Sequence, residues 1–510
     1  MRNIALITAA TILFCLAIGF DISPFLRGPS PYPPEWRWGY EFVNTAGRLY
    51  TPVGVAAVII GIFALVEKQK FLRARSPAIV LVLLILVSFF FQLSLLFYSR
   101  SGILVLVHRI INPQLNGYFT AALSIHNISE FLRTYNTQVL HFVYHAKAHP
   151  PGAILLFYFI NQAMTAFPLL GNTASHFVPS HTDVKLIWNT LLPAQKAGAL
   201  FAAFFIPFLS TLTLIPLYYS AKILYGSKVA MRSVCLFVFI PSIVFFIPIN
   251  DSFLHVFSIT AFFFLLKGIE KSKGYWYVLS GATLFLGVFF NLSLLPLLVF
   301  LVFFFLSKSA QTPPNLPLSG EEQEISRPDK RPHEVDSTLV VGRLWRVLNS
   351  GVFFFLGFLL LPILLFLFFQ FSFIQVAQTI MAHVPDVHTR SYWIWIFYNL
   401  YDFLVFSGIP ITIVVFVALK QLLIDSMKKQ WKQINYLLVS FLLMIFILNF
   451  SGSVRGETGR LWSVYMPFMT LIAVAFVTNK LKFSTRFFTI FLLLQVIQIL
   501  VMQEFWVMLW

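Results

Sequence analysis

The sequence predicts an all-α membrane protein whose chain crosses the bilayer about 12 to 14 times. Of its 510 residues, 58% are hydrophobic and only 11% are charged. Apolar runs long enough to cross a hydrocarbon core of about 30 Å recur along the whole chain. The basic residues, which give a net charge of +17, fall in short clusters between these runs. That pattern is typical of cytoplasmic loops and anionic lipid contacts, and not of a surface that binds nucleic acid.

The apolar runs define the predicted spans. The first, residues 4–20, has the length of a signal peptide, but Asp21-Ile22-Ser23-Pro24 follows it in place of a small-residue cleavage site, so we expect a retained span. The other runs lie near residues 51–66, 78–98, 151–167, 196–218, 233–249, 254–268, 275–290, 292–306, 347–370, 395–418, 435–450, 463–478 and 487–503.

The basic clusters give the expected orientation. Those within residues 68–75, 267–273, 307–346, 420–432 and 480–482 are predicted to be cytoplasmic, so the loops between them face outward. One conflict remains, because five apolar runs separate Arg75 from Lys271 and two cytoplasmic loops require an even number. Either one run is interfacial or re-entrant, or residues 188–219 contain a second crossing. The basic loop at 219–232 has no assigned side.

A hydrophilic stretch at residues 307–346 divides the chain. Its prolines and mixed charges leave too little apolar surface for independent folding, which predicts a disordered cytoplasmic linker. An N-terminal transmembrane region, 1–306, carries the outward loops 21–50 and 99–150, and a C-terminal transmembrane region covers 347–510. In the long loop, residues 103–111 and 118–132 predict interfacial helices that lie along the membrane.

Two outward segments stand out by their residue types. Loop 21–50 contains Tyr32, Trp36, Trp38 and Tyr40, which fit either an interfacial aromatic belt or a surface that stacks on sugars. The long loop ends in His149-Pro150-Pro151-Gly152, directly before the run at 151–167. Prolines are tolerated in the first turn of a helix, so this junction predicts a rigid helix start that holds polar groups at a fixed depth.

Four short patches together resemble a known family. They are Asn116-Gly117-Tyr118-Phe119, Leu132 to Tyr135, the His-Pro-Pro-Gly junction, and Phe246-Ile247-Pro248-Ile249-Asn250-Asp251. With the loop length and span count, they resemble the polytopic GT-C glycosyltransferases, which include protein mannosyltransferases and aminoarabinose transferases. The resemblance implies transfer of a sugar from a polyprenyl-phosphate donor to a glycan, lipid or protein acceptor. It also implies an active site on the outer face of a multi-pass plasma-membrane protein of the cell envelope.

Transfer from a lipid phosphate requires a carboxylate that takes the proton of the acceptor. The family usually has an acidic residue at the start of the large outward loop, but this chain has Asn112, Gln114 and Asn116 there. The candidate catalytic residues are therefore Glu130, in the same loop, and Asp251, at the outer end of a short span; Asp21 and Glu35 in loop 21–50 follow them. For each, the alternative is a solvated cap at the membrane rim.

The reaction also requires cations that neutralise the departing phosphate. The outward loop Ser453 to Trp462 contains Arg455, Glu457 and Arg460. Arg460 can present a planar fork to phosphate oxygens while Glu457, three residues earlier, orients it. The loop resembles the arginine-containing loop that similar transferases place near the donor phosphate. Arginines that snorkel at a helix end are the alternative.

The remaining candidates are expected to shape the pocket. Tyr118, His145 and His149 are placed there with Asp402, an acidic residue within an apolar run that must face protein or water. For Asp402 the alternative is a helix–helix hydrogen bond. The spacing of His141, His145 and His149 also fits one helical face, yet no glutamate accompanies them, so we assign no metal site; metal dependence stays open.

Two other function classes remain. A transporter of lipid-linked glycans, or another secondary carrier, would share the many spans, but carriers often contain two similar halves and none are visible here. A scaffold that keeps the GT-C shape without activity would explain the absent loop acid.

Overall fold

The computed structural model describes residues 2–31, 34–42, 46–68, 77–98, 102–177, 182–309, 337–383 and 389–507. Its α-helices are Arg2–Gly19, Tyr50–Lys68, Pro77–Tyr98, Val105–Ile111, Tyr118–Leu123, Ile128–Gln138, Tyr144–Lys147, Gly152–Thr165, Pro168–Ser175, Thr182–Thr190, Pro193–Thr211, Leu214–Tyr225, Ser227–Phe237, Pro241–Phe245, Asp251–Lys271, Gly274–Phe290, Leu297–Ser309, Ser337–Phe369, Phe373–Ala382, Tyr392–Ser407, Ile409–Met427, Gln433–Phe450, Thr458–Leu461, Met466–Asn479 and Thr485–Phe505. The 3-10 helices are Pro24–Arg27, Ala46–Arg48, Val139–His141, Leu292–Leu294 and Ser463–Tyr465. The strands Gly39–Tyr40 and Trp506–Val507 pair antiparallel.

The all-α polytopic fold class is confirmed. Within the described residues, 10 helices are long and apolar enough to cross a membrane. The count reaches 11 if the bent pair Gly152–Thr165 and Pro168–Ser175 is one span. Shorter apolar helices, among them Gly274–Phe290, account for much of the difference from the predicted 12 to 14.

Arg232 fixes the side on which the basic loop at 219–232 lies. Its guanidinium forms a buried ion pair with Glu67, with 2.8 Å between Nη2 and Oε2. The same guanidinium donates a hydrogen bond to the carbonyl oxygen of Phe483, at 2.9 Å. The loop therefore lies at the same end of the bundle as the segments that follow residue 68 and residue 480.

Asp251 lies at the opposite end of the bundle. The segment 463–479 joins the two ends, because Ser463 donates to the backbone oxygen of Asp251 at 3.4 Å and Thr478 accepts from Arg232 at 3.4 Å. The chain from 232 to 251 thus traverses the molecule. It does so as two short helices, Ser227–Phe237 and Pro241–Phe245, where the sequence predicted one run at 233–249.

The run at 151–167 ends in a sharp bend. Its helix ends at Thr165, and the next helix, Pro168–Ser175, turns by 102°. The turn brings Gly171 against Pro193, where the following long span begins; a Cβ on this glycine would lie 3.1 Å from the carbonyl carbon of Pro193. Such a bend is what a broken span or a re-entrant run gives, so a re-entrant run stays one of the two predicted ways to an even number of crossings.

Three predicted boundaries differ from the structure. The run at 395–418 is two helices that meet at Gly408, whose φ of 101° suits glycine. The stretch 118–132 is two helices, and the side chain of Asn127 caps the second by accepting from the backbone N–H of Glu130. Residues 337–346 of the predicted linker are helical, while its part at 310–336 lies outside the described residues.

Close backbone approach joins the two transmembrane regions. Gly281 and Gly357 lie where helix Gly274–Phe290 crosses helix Ser337–Phe369. A Cβ on Gly281 would lie 2.0 Å from the oxygen of Phe354, and one on Gly357 would lie 1.9 Å from the oxygen of Val278. Small residues at such a crossing allow the van der Waals contact that holds helices together in lipid.

Candidate active site

Asp251 is the centre of the site. It is the first residue of helix Asp251–Lys271 and is buried. Its Oδ1 accepts a 2.8 Å hydrogen bond from the side-chain amide of Asn291, and its Oδ2 lies 3.6 Å from Nε of Arg460. The segment before it is held by the buried Arg109, which donates to the backbone oxygens of Phe245 and Ile247. These contacts hold a negative charge at a fixed point.

A chain of charged side chains extends from Asp251, and positive and negative charges alternate along its first four members. Arg460 pairs with Glu457 at 2.7 Å, and Glu457 lies 3.9 Å from Arg390. Arg390 donates to the backbone oxygen of Arg455, and Arg455 donates to that of Arg390, each at 2.6 Å. These five groups carry three positive and two negative charges. A further carboxylate, that of Glu35, lies beside the arginine end, where it accepts from the backbone N–H of Ser391 at 3.1 Å and from Nε1 of Trp395 at 2.6 Å.

The backbone of residues 452–457 makes this clustering possible. Gly456 has φ of 112° and Glu457 has φ of 57°, so the loop turns twice in a region that most side chains avoid. A Cβ on Gly456 would lie 2.4 Å from Nη1 of Arg390. Glycine at this position therefore lets the guanidinium lie directly on the backbone.

The His-Pro-Pro-Gly junction lies beside Asp251. The ring of His149 packs edge-on against Tyr118, with 5.5 Å between centroids. The hydroxyl of Tyr135 donates to the backbone oxygen of His149 at 2.8 Å. Helix Gly152–Thr165 follows the prolines, and a Cβ on Gly152 would lie 2.5 Å from the oxygen of Phe289. The junction is thus pinned from both sides.

Burial and the charges of Asp251 and Arg460 determine the protonation states of His145, His149 and Tyr118. Burial and, to a smaller extent, the positive charge of Arg460 together lower the pKa of His145 to about 3. Burial also lowers the pKa of His149, against the opposing effect of Asp251. Burial raises the pKa of Tyr118 well above its usual value, and Asp251 adds to that rise. At neutral pH the three side chains are neutral donors or acceptors around a charged pair.

Asp402 connects loop 21–50 with residues 458–459. Its carboxylate accepts hydrogen bonds from Nε1 of Trp38 at 3.0 Å, from the backbone N–H of Gly459 at 2.6 Å and from the hydroxyl of Thr458 at 3.3 Å. Trp38 is 3% exposed and packs on Phe406, so it faces protein. Trp38 lies outside the helices, whereas Thr458 and Gly459 lie in the short helix Thr458–Leu461, so the carboxylate bonds both to a loop and to a neighbouring helix.

Residues 195–315 match the family model of dolichyl-phosphate-mannose-protein mannosyltransferases. The matched segment includes Asp251 and Asn291. The match confirms the resemblance to the GT-C class, and at the level of the family it supports a membrane glycosyltransferase with a polyprenyl-phosphate sugar donor. No curated protein and no solved structure matches the chain.

The structure separates the two carboxylates that the sequence offered as the catalytic base. Glu130 is exposed in the first turn of helix Ile128–Gln138, and among the described residues its carboxylate has no hydrogen bond or ion pair. Asp251, in contrast, is buried, accepts from Asn291 and lies 3.6 Å from Nε of Arg460.

The three histidines do not share one helical face. Val139–His141 is a 3-10 helix and Tyr144–Lys147 a separate α-helix, so the spacing of four does not place the rings in register. Within the ranges that the structure describes, no group of three or more His, Cys, Asp or Glu side chains is placed to hold a metal ion.

Two site residues were not singled out from the sequence. Asn291 lies in a break between apolar helices, and its amide fixes the Asp251 carboxylate. Arg390 lies far from the 453–462 loop in sequence and joins it through Glu457 and Arg455. In the sequence, the feature that could have indicated both residues is a polar side chain next to an apolar run, in a loop predicted to face outward.

Proposed function

We propose that the protein is a glycosyltransferase that moves a sugar, with mannose as the first donor to test, from a polyprenyl phosphate to an acceptor hydroxyl at the outer face of the plasma membrane. The observation that carries the proposal is the single buried cluster in which Asp251 is linked through Arg460 and Glu457 to Arg390 and Arg455. It provides a carboxylate and a cationic end within one site, as transfer from a lipid phosphate requires.

Asp251 acts as the general base. It takes the proton of the acceptor hydroxyl while the acceptor oxygen forms a bond to the anomeric carbon of the sugar. The bond from that carbon to the phosphate oxygen breaks, and polyprenyl phosphate leaves with the bonding electrons. Asn291 and Arg460 hold the carboxylate in place and stabilise its charge.

Arg390, Arg455 and Arg460 neutralise the phosphate. Arg460 already lies between two carboxylates, so Arg390 and Arg455 are the cations that we expect to meet the phosphate first. Tyr118, His145 and His149 form the neutral wall that orients the sugar, and Asp402 holds the loops together.

The outer-face orientation rests on charge. The Asp251 end of the bundle carries the loops predicted to face outward, and Lys68, Lys271 and Lys480 follow helices at the opposite end. Basic residues are enriched on the cytoplasmic side of membrane proteins. Labelling of intact cells with a thiol reagent that does not cross the membrane tests the assignment. Of two single-cysteine variants, one with its cysteine at Asn127 and one at Lys273, we expect only the variant at Asn127 to react from outside.

Transfer from radiolabelled polyprenyl-phosphate-mannose in reconstituted vesicles tests the activity. We expect Asp251→Asn to lower the rate by about 10²- to 10⁴-fold, since a positioned base supplies that much. Glu130→Gln, the matched control at the exposed carboxylate, should retain wild-type activity.

Loss of activity in Glu130→Gln with retention in Asp251→Asn would reverse the assignment of the base. Wild-type protein that transfers from neither this donor nor other polyprenyl-phosphate sugars would contradict the proposed function and favour the carrier or the scaffold.

A further inference from the structure

An apolar groove lies at the end of the bundle opposite Asp251. It has a volume of about 520 Å³ and lies where helices Asp251–Lys271, Gly274–Phe290, Leu297–Ser309 and Ser337–Phe369 meet. Its walls are almost wholly hydrocarbon, with members from each helix such as Leu265, Tyr277, Leu306, Val347, Gly351 and Leu359. The chain on both sides of residues 310–336 therefore contributes to one groove.

The length of the groove matches one leaflet of a bilayer. Val347 and Leu359 line it, and twelve residues of α-helix span about 18 Å. Half of a hydrocarbon core is about 15 Å thick. Only 11% of the Val347–Phe369 span is buried by protein, so the groove is reached from the lipid phase.

The groove is a defined gap and not a loose helix contact. A Cβ on Gly351 would meet nothing within 4 Å. Two turns further along the same helix, a Cβ on Gly357 would lie 1.9 Å from the oxygen of Val278. The helix therefore packs backbone to backbone at one level and leaves a space as deep as a side chain at another.

Two of the helices that line the groove carry basic and aromatic residues where one ends and the other begins. Lys271 and Lys273 are exposed at the end of helix Asp251–Lys271, next to Tyr275 and Trp276. Glu270 is paired with Lys267 at 2.7 Å. Two cationic side chains are thus left at the level where lipid head groups lie, and rings of this kind settle at that level.

We propose that the groove is a binding site for an anionic phospholipid of the leaflet opposite the Asp251 site. One acyl chain fills the groove from Val347 to Leu359, and the phosphate of the head group lies at Lys271 and Lys273. The lipid thereby joins helix Leu297–Ser309 to helix Ser337–Phe369. The site is separate from the proposed transfer reaction, since Asp251 is at the other end of a helix that is about 30 Å long.

Native mass spectrometry of the full-length protein, extracted from nanodiscs of equal phosphatidylglycerol and phosphatidylcholine, tests the proposal. The wild type should retain one phosphatidylglycerol after most lipid is stripped. Gly351→Leu fills the groove and should lose it. Gly61→Leu is the matched control, because a Cβ on Gly61 also meets nothing within 4 Å, and it should retain the lipid.

A second variant tests the head-group site without touching the groove. Lys271→Glu with Lys273→Glu should lower the preference for phosphatidylglycerol over phosphatidylcholine by about tenfold or more. Equal retention in Gly351→Leu and wild type would overturn the proposal. So would a retained lipid that is zwitterionic or a polyprenyl phosphate, because the head-group site would then lie elsewhere.

Discussion

The ion pair between Arg232 and Glu67 offers a quantitative test of the fold. The side chains are 0% and 2% exposed and lie 2.8 Å apart, and Arg232 also lies over the ring of Phe488 with 4.8 Å to its centroid. The pair links helices Tyr50–Lys68, Ser227–Phe237 and Thr485–Phe505. Glu67→Gln removes one charge and keeps the shape of the side chain.

We expect Glu67→Gln to lower the free energy of unfolding by about 3–5 kcal/mol, since it leaves an uncompensated charge out of water. The matched control is Glu270→Gln. Glu270 is paired with Lys267 at the similar distance of 2.7 Å, but these side chains are 38% and 24% exposed. Solvent screens such a pair, so the control should change the free energy by less than about 1 kcal/mol.

Unfolding by sodium dodecyl sulfate in mixed micelles, followed by tryptophan fluorescence, measures both variants against wild type. If Glu67→Gln and Glu270→Gln shift the unfolding midpoint equally, burial does not govern the strength of the pair. The assignment of the 219–232 loop to that end of the bundle would then lose its support.

Three further predictions concern the site. The pKa of His145 is about 3 in the folded protein, below its usual value of 6.5, so as the pH falls the unfolded chain binds this proton first and the folded state should lose stability below pH 6.5. Melting curves measured over a range of pH should show a weaker pH dependence for His145→Gln. The control His126→Gln, at an exposed histidine, should leave the pH dependence unchanged. Asp402→Asn places an amide against the backbone N–H of Gly459, which donates at 2.6 Å, and should lower the free energy of unfolding by about 1–3 kcal/mol. Thr458→Val removes the 3.3 Å hydrogen bond from the Thr458 hydroxyl to Asp402 and should lower it by less than about 1 kcal/mol in the same detergent titration. Gly152→Ala should cost about 1–3 kcal/mol and slow transfer, because its Cβ would meet a backbone oxygen at 2.5 Å; a melting curve and transfer rate equal to wild type would contradict the tight junction.

The sequence located much of the cluster because charge is conspicuous in an apolar chain. Ionisable groups are costly in lipid, so Asp251, Glu457 and Arg460 stood out as functional candidates at the ends of spans. Tyr118 and His149 were found through short motifs. The structure brings all five together.

Exposure was the property that sequence could not supply for the carboxylates. Glu130 and Asp251 both lie in the first turn of a helix, and the sequence offered both as the base. Only tertiary packing buries Asp251 against Arg460 and leaves Glu130 in solvent.

Breaks within apolar runs were also invisible. Composition alone does not separate a continuous span from two helices, so the turn at Gly408 within the predicted run 395–418 was missed. Arg390 and Asn291 were missed for a related reason, since each acts only through partners that are distant in sequence.

The hydrogen bond from Trp38 to Asp402 has a consequence for biogenesis. It joins residues 364 positions apart in the chain, and the adjoining strands pair Gly39–Tyr40 with Trp506–Val507. The ribosome releases the first loop long before its partners exist. Membrane insertion of the early spans therefore proceeds while the first loop lacks its partners, and the strand pairing can form only after translation of residue 507. We expect a chain stalled earlier in synthesis to be inserted in the membrane with this pairing unformed.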